Sequence, residues 1–77
     1  MHSRAILARN MRRLRQVRDL SQEALAHEAN IDRTYVSDLE REQYAASVDM
    51  LDQLAQALDC KASDLIDEEY DPDGSFG

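Results

Sequence analysis

The sequence predicts an all-α protein, a compact bundle of five short helices. Three observations support this prediction. Ten alanines and nine leucines outnumber three valines and three isoleucines, a balance that favours helices over strands. Apolar residues recur at spacings of three and four, as on one face of a helix. Two glycines, one proline, three tyrosines and one phenylalanine exclude a collagen-like chain and argue against a β-sandwich or a Pro/Gly-rich disordered chain.

The first helix is predicted over about residues 3–18. Leu7, Met11 and Leu14 are spaced by four and then three residues, and Val17 follows three residues later. This spacing places the four side chains on one face of a helix, where they can enter a core.

Two shorter helices follow, over about 21–29 and 32–41. Ser21 and Asp32 are suitable N-caps, and each is preceded by an apolar residue that can pack against another four residues beyond the cap. Asn30 lies where a helix end requires a left-handed backbone, a conformation in which asparagine is second only to glycine.

The second half of the chain predicts a loop, two further helices and a tail. Residues 42–46 lack periodicity, Ser47 is the N-cap of a fourth helix, and 61–66 is long enough for a short fifth helix. The acidic segment from residue 67 is expected to be disordered. We therefore divide the chain into a domain, 1–66, and a C-terminal tail, 67–77.

Two short helices joined by a tight turn describe a helix-turn-helix. The stretch QEALAHEANIDRTYVSDLER (22–41) resembles the DNA-binding helix-turn-helix of the lambda-repressor/Cro-like family, also called the xenobiotic-response-element family. Downstream, SVDMLDQLAQALDCKASDLI (47–66) is similar to the family's fourth and fifth helices. Within the family, DRTYVSDLER looks especially like the controller proteins of restriction-modification systems.

The resemblance implies a transcriptional regulator that binds double-stranded DNA as a homodimer on a pseudo-palindromic operator. The third helix, about 32–41, would then read base edges in the major groove. Arg33 is placed to bridge O6 and N7 of a guanine. The residues expected to contact bases are Arg33, Thr34, Ser37 and Asp38.

A second set of side chains is expected to hold the DNA backbone. Gln22 begins the second helix, where family members grip phosphate with a side-chain amide and backbone N–H groups. The recognition helix, the first helix and the loop after the third helix supply the other candidates. The expected phosphate contacts are Gln22, Tyr35, Arg12, Arg13, Gln43 and Tyr44.

Two features depart from the family pattern. Glu42 occupies the position of a usual glycine, and Gln43 or Tyr44 that of a basic residue, so the loop lacks a cation for phosphate. Asp38 either accepts a hydrogen bond from N4 of a cytosine or repels a phosphate. We expect a lower non-specific affinity than a basic relative would have.

Two further pairs of residues have expected structural roles. Arg15 and Glu40 occupy the positions of a family ion pair, which would join the first and third helices. Leu65 and Ile66 lie on a helix too short to be stable alone and too apolar to be left in water. We therefore place the homodimer interface at these two residues, together with the C-terminal half of the fourth helix and the adjoining loops.

The charge distribution leaves two alternative functions open. The formal net charge is −7, yet residues 1–18 contain six arginines and no acid, whereas 42–77 contain ten acids and only Lys61 as a base. A local basic patch can bind phosphate despite an acidic total. The alternatives are an antitoxin that holds a toxin with the same fold, and a protein-interaction module with weak or no DNA binding.

The remaining features predict no enzyme, no cofactor and no metal. His2 and His27 have no partner at ligand spacing, and a domain within a 77-residue chain is too small to enclose a cleft. No apolar run approaches the roughly 20 residues that a membrane span needs, and the N-terminus lacks a signal-peptide stretch. The single Cys60 fits a reducing compartment. We expect a cytoplasmic protein.

Overall fold

Five helices form the described part of the chain. A computed structural model describes residues 3–71, and Met1, His2 and residues 72–77 lie outside the described residues. The helices are α1 (Ser3–Val17), α2 (Gln22–Ala29), α3 (Arg33–Glu40), α4 (Val48–Leu58) and α5 (Ala62–Leu65). There is no strand between residues 3 and 71, and the predicted all-α class with five helices is confirmed. Within this same stretch, no helix combines the length and hydropathy needed to cross a membrane.

The predicted N-caps start α2, α3 and α4. The hydroxyls of Ser21 and Ser47 each accept a hydrogen bond from the backbone N–H three residues later, at 2.9 and 3.1 Å. The carboxylate of Asp32 accepts one from the backbone N–H of Thr34 at 2.8 Å, and this bond lowers the pKa of Asp32 below its ordinary value. Each cap satisfies a backbone donor that has no partner inside its helix.

Left-handed residues end the first four helices, and none of these residues is glycine. Their φ angles lie between 56° and 63°. In each case the following N–H bonds to the carbonyl five residues earlier, at 2.8–3.0 Å, which is the Schellman arrangement. The four residues are Asp19, Asn30, Glu42 and Asp59. The position predicted for Asn30 is thus confirmed, and Glu42 adopts the same backbone although its side chain disfavours it.

All five helices contribute to one apolar core. The α1 stripe predicted from spacing is buried at Leu7, Met11 and Leu14, but Val17, in the last turn of α1, is 50% exposed. The buried cluster consists of Leu7, Met11, Leu14, Leu25, Ala26, Ala29, Val36, Leu39, Leu54, Ala55, Leu58 and Leu65.

A fully buried asparagine on α1 joins this core to the end of α5. Nδ2 of Asn10 donates to the backbone oxygens of Asp64, Leu65 and Asp67 at 3.0, 3.1 and 2.9 Å. The last carbonyls of a helix have no N–H donor within the helix. The carbonyls of Asp64 and Asp67 also accept from the backbone N–H groups of Asp67 and Tyr70, so Asn10 adds a second donor there and satisfies the carbonyl of the buried Leu65.

Residues 67–70, the start of the segment predicted to be an acidic tail, lie against α1. Arg9 donates to the carbonyls of Asp67 and Glu68, and Arg13 donates to that of Tyr70. The half-buried ring of Tyr70 packs against the core. Backbone carbonyls accept hydrogen bonds whatever side chains they carry, so acidic composition did not prevent this contact. The rest of the predicted tail, 72–77, lies outside the described residues.

Candidate nucleic-acid interface

The packing of α2 against α3 determines which side of α3 faces outward. On α2, the small residue Ala26 is 3% exposed, and Leu25 is fully buried. On α3, Val36 and Leu39 are 0% and 2% exposed. Because these residues hold one face of α3 in the core, the opposite face is presented to the surroundings.

The outward face of α3 carries the residues predicted to contact bases. Arg33 and Thr34 are exposed at the start of the helix, and Ser37 lies one turn later, half-buried. These three side chains line a surface depression of about 230 Å³. The structure thus brings Arg33, Thr34 and Ser37 together.

A second depression, of about 300 Å³, lies beside the first and shares Thr34 with it. Tyr35 and Tyr44, which are 49% and 55% exposed, form one wall. Their ring centroids are 6.4 Å apart, with 49° between the ring planes. Asp32 and Asp38 complete the lining. Residues predicted separately for the recognition helix and for the loop therefore share one surface.

Arg41 was not predicted as part of this surface. Its Nη2 lies 2.5 Å from Oδ1 of Asp38, and the Asp38 side chain is only 15% exposed. The two residues are three apart on the chain, a spacing at which side chains on a helix meet. That spacing is the signal from which the pair could have been found.

Glu40, at the end of α3, forms a hydrogen-bonded cluster with Arg15 and Gln22, which we call the hub. Its carboxylate forms a bidentate pair with Arg15, at 2.6 and 2.8 Å, as the sequence predicted. The pair raises the pKa of Arg15, chiefly through the hydrogen bond to Glu40. Gln22 Nε2 also donates to this carboxylate at 3.1 Å, a contact that was not foreseen. The hub therefore joins α1, α2 and α3 at one carboxylate that is only 4% exposed.

Arg12 and Arg13 do not form a single patch. Arg12 Nη1 donates to the backbone oxygen of Glu40 at 2.7 Å, beside the hub. Arg13 instead donates to the backbone oxygen of Tyr70, at 3.4 Å. Successive residues on a helix point about 100° apart, so Arg12 reaches the end of α3 whereas Arg13 reaches the segment after α5. Only Arg12 lies beside the recognition helix.

The loop glutamine predicted to contact phosphate is exposed. Gln43 Nε2 donates to the backbone oxygen of Arg41 at 3.3 Å. The contact holds the side chain near the end of α3 and leaves it at the surface next to Tyr44.

The residues predicted for a dimer interface separate in the structure. Leu65 is 0% exposed and belongs to the core of its own chain, so it does not form an intermolecular surface as predicted. Ile66 is 50% exposed, and Val48 on α4 is 75% exposed. Ile66 borders a mainly apolar depression of about 100 Å³. The depression is lined by Ser3, Arg4, Leu7, Ala45, Ala46, Leu51 and Ile66.

Cysteine and histidine form no cluster in the described region. Between residues 3 and 71 there is no group of three His, Cys, Asp or Glu side chains arranged to hold a metal ion, and His2 lies outside that range. Cys60 is half-buried. Burial, with the negative charges of Asp64 and Asp59, raises the pKa of Cys60 to about 11.

Comparison with known proteins decides the family. The family described as Helix-turn-helix matches residues 11–65, from the middle of α1 to the end of α5. The chain belongs to the helix-turn-helix family. The membership expected from residues 22–41 is confirmed, and the match extends over the fourth and fifth helices as well.

Several relatives of this helix-turn-helix protein are described as regulators. The chain is 41% identical over 63 residues to the Neisseria hypothetical transcription factor of Neisseria meningitidis serogroup B, covering 82% of this chain and 59% of that protein. It is 35% identical over 63 residues to the immunity repressor protein of Bacillus phage phi105, covering 82% of this chain and 44% of the repressor. The chain therefore spans little more than half the length of the first relative and less than half of the second.

A solved structure supports the resemblance to controller proteins. The restriction-modification controller protein C.AhdI from Aeromonas hydrophila superimposes with a TM-score of 0.77 and 37% sequence identity, covering 80% of this chain and 94% of that one. The resemblance predicted from α3 is thus confirmed for the whole helix-turn-helix domain.

Proposed function

We propose that this protein is a sequence-specific DNA-binding transcriptional regulator in which α3 reads the major groove. The observation that supports it is the outward face of α3, where Arg33, Thr34 and Ser37 line one depression. An α-helix fits the major groove, where each base pair presents a distinct pattern of donors, acceptors and methyl groups. The relatives described as a transcription factor and a repressor support the same function.

Arg33 is the residue on which base selection rests in this proposal. It is exposed at the first residue of α3, and a guanidinium can bond both O6 and N7 of a guanine. Thr34 offers a methyl group and a hydroxyl, and Ser37 a hydroxyl, to neighbouring positions.

Gln22 is proposed to hold phosphate in a pre-set orientation. Its amide nitrogen carries two hydrogens, and one of them is directed to the Glu40 carboxylate. The second hydrogen and the free backbone N–H groups at the start of α2 can face a phosphate oxygen. Arg12, next to the hub, and the exposed Gln43 are proposed as further contacts to the DNA backbone.

A homodimer is proposed through the surface around Ile66. Val48 and Ile66 expose apolar side chains, and burial in a partner removes such surface from water. A dimer would place two α3 helices on a pseudo-palindromic site, about 34 Å apart. Binding to chromosomal DNA would place the protein in the cytoplasm.

Selection from random double-stranded oligonucleotides tests the proposal, followed by binding isotherms on selected and scrambled DNA at several salt concentrations. Arg33→Ala should cost about 1–3 kcal/mol on the selected site, relax the preference at one base pair per half-site, and leave non-specific binding largely intact. Arg18→Ala is the matched control, because the guanidinium of Arg18 lies 3.7 Å from the carboxylate of Asp59, at the end of α4. If Arg33→Ala bound the selected and the scrambled DNA with the same affinities as the parent, the assignment of base reading to α3 would be refuted.

The second candidate is a protein-interaction module, which includes an antitoxin that binds a toxin. It is favoured by the charge of residues 42–77, which contain ten acidic residues and a single lysine. This composition suits a basic partner and weakens attraction to phosphate. Failure of the selection to enrich any sequence would support this candidate over the first.

A further inference from the structure

The depression beside the Arg33 site has its own chemistry. Its lining combines two exposed phenol rings, Tyr35 and Tyr44, with the side chains of Thr34 and Asp38. It adjoins the Arg33 depression along α3 and shares Thr34 with it. A helix that places Arg33 against one base therefore places this second depression against a neighbouring position.

Asp32 and Asp38 are the two carboxylate acceptors of this depression, and Asp38 is the one that forms an ion pair with an arginine. Asp32, the other carboxylate in the lining, already accepts from the N–H of Thr34 as the cap of α3. Asp38 uses Oδ1 for Arg41, which leaves Oδ2 to accept from an incoming group. The guanidinium of Arg41 also offsets the charge of Asp38, so the carboxylate can approach a base edge between phosphates with less repulsion.

Cytosine has the base edge that best matches a carboxylate next to the faces of aromatic rings. In the major groove, cytosine presents the N4 amino donor beside its C5 position. Thymine presents the O4 acceptor there, which a carboxylate repels. Adenine presents a donor, but its neighbour is the N7 acceptor rather than an apolar carbon.

We propose that Asp38, Tyr35 and Tyr44 form a pocket for the major-groove edge of a cytosine. Asp38 accepts a hydrogen bond from N4, and the two rings contact C5. This pocket rests on the proposed function, because it requires α3 to lie in the major groove. A methyl group on C5 adds apolar surface against the rings, so the pocket binds 5-methylcytosine at least as well as cytosine.

The test begins with the operator obtained by selection. Each C·G pair of a half-site is replaced in turn by a U·A pair, which removes the N4 donor without adding a methyl group. Each cytosine is separately replaced by 5-methylcytosine. For the parent we expect one position per half-site where U·A weakens binding about 5- to 100-fold, and where the methyl group strengthens it about two- to fourfold.

Variants separate the two contacts. Asp38→Asn should lose the preference for C·G over U·A at that position and keep the response to the methyl group. Tyr44→Ala should lose the methyl response and keep the preference for C·G, whereas Tyr44→Phe retains the ring and the response. Asp52→Asn, an exposed aspartate on α4, is the matched control and should behave as the parent. Circular dichroism confirms that each variant is folded.

The outcomes distinguish this pocket from the function on which it rests. If a site is selected but no cytosine shows both responses, the pocket is overturned and DNA binding through α3 stands. If the Asp38→Asn and Tyr44→Ala variants discriminate as the parent does, the assignment to these residues is wrong. If no sequence is selected at all, the proposed function fails, and the pocket fails with it.

Discussion

Replacing Glu40 with alanine should destabilise the fold more than any exposed acidic substitution. The carboxylate accepts from two nitrogens of Arg15 and one of Gln22. Removing one partner of a buried pair costs about 3–5 kcal/mol, because the other charge is left uncompensated. Arg15 is 17% exposed and keeps its bond to the carbonyl of Leu20, so water and this bond offset part of the loss. We expect about 2–4 kcal/mol.

That loss is a large share of the total stability. A chain of this size has a free energy of unfolding of about 4–12 kcal/mol. With a urea m-value of about 1 kcal/mol/M, the midpoint of unfolding should fall by about 2 M or more. Glu40→Gln keeps the side-chain volume and one acceptor oxygen, and should cost roughly half as much.

Urea titrations followed by far-ultraviolet circular dichroism measure these shifts. Glu28→Ala is the matched control, because Glu28 is exposed on α2, and it should change stability by less than about 0.5 kcal/mol. A Glu40→Ala midpoint as close to the parent as that of the control would refute the reasoning, since the hub would then add nothing to stability.

Two further predictions concern single residues outside the hub. Glu42→Gly should raise stability by about 1 kcal/mol, because glycine adopts the left-handed φ of 63° without a steric cost; a melting temperature below that of the parent would contradict this. Cys60 should react with iodoacetamide at pH 8 at least about tenfold more slowly in the folded chain than in urea, because its raised pKa keeps the thiol protonated. The raised pKa of Cys60 also stabilises the folded chain relative to the unfolded one. This contribution is fully present below the unfolded pKa of about 8.5 and is lost as the pH rises towards 11. The urea midpoint should therefore fall between about pH 8.5 and pH 11.

Local features of the chain were predictable because their causes are local. Ser21, Asp32 and Ser47 cap helices through bonds to N–H groups two or three residues away, so spacing alone was sufficient. The Arg15–Glu40 pair spans 25 residues and was found only through resemblance to a family.

Features that depend on tertiary orientation were not predictable. A one-turn helix such as α5 has too few residues to show a periodicity, so the sequence could not decide that Leu65 faces the core and Ile66 faces outward. Likewise, Arg12 and Arg13 are equivalent in sequence, and only the positions of α3 and Tyr70 separate their roles. The pairing of Tyr35 with Tyr44 required the path of the loop after α3.

The hydrogen bonds between α1 and residues 67–70 join the two ends of the described region to each other. The hydrogen bonds from Arg9, Asn10 and Arg13 reach across 54 to 59 residues, so every other helix lies within the loop that they close. Closing a loop of this length costs conformational entropy of the chain, and the contacts stabilise the fold only after that loop has closed. If residues 67–70 detach, Asn10 loses its hydrogen bond to the carbonyl of Asp67. If α1 unfolds, residues 67–70 lose the side chains that hold them. Neither α1 nor residues 67–70 can therefore unfold locally without breaking hydrogen bonds that hold the other.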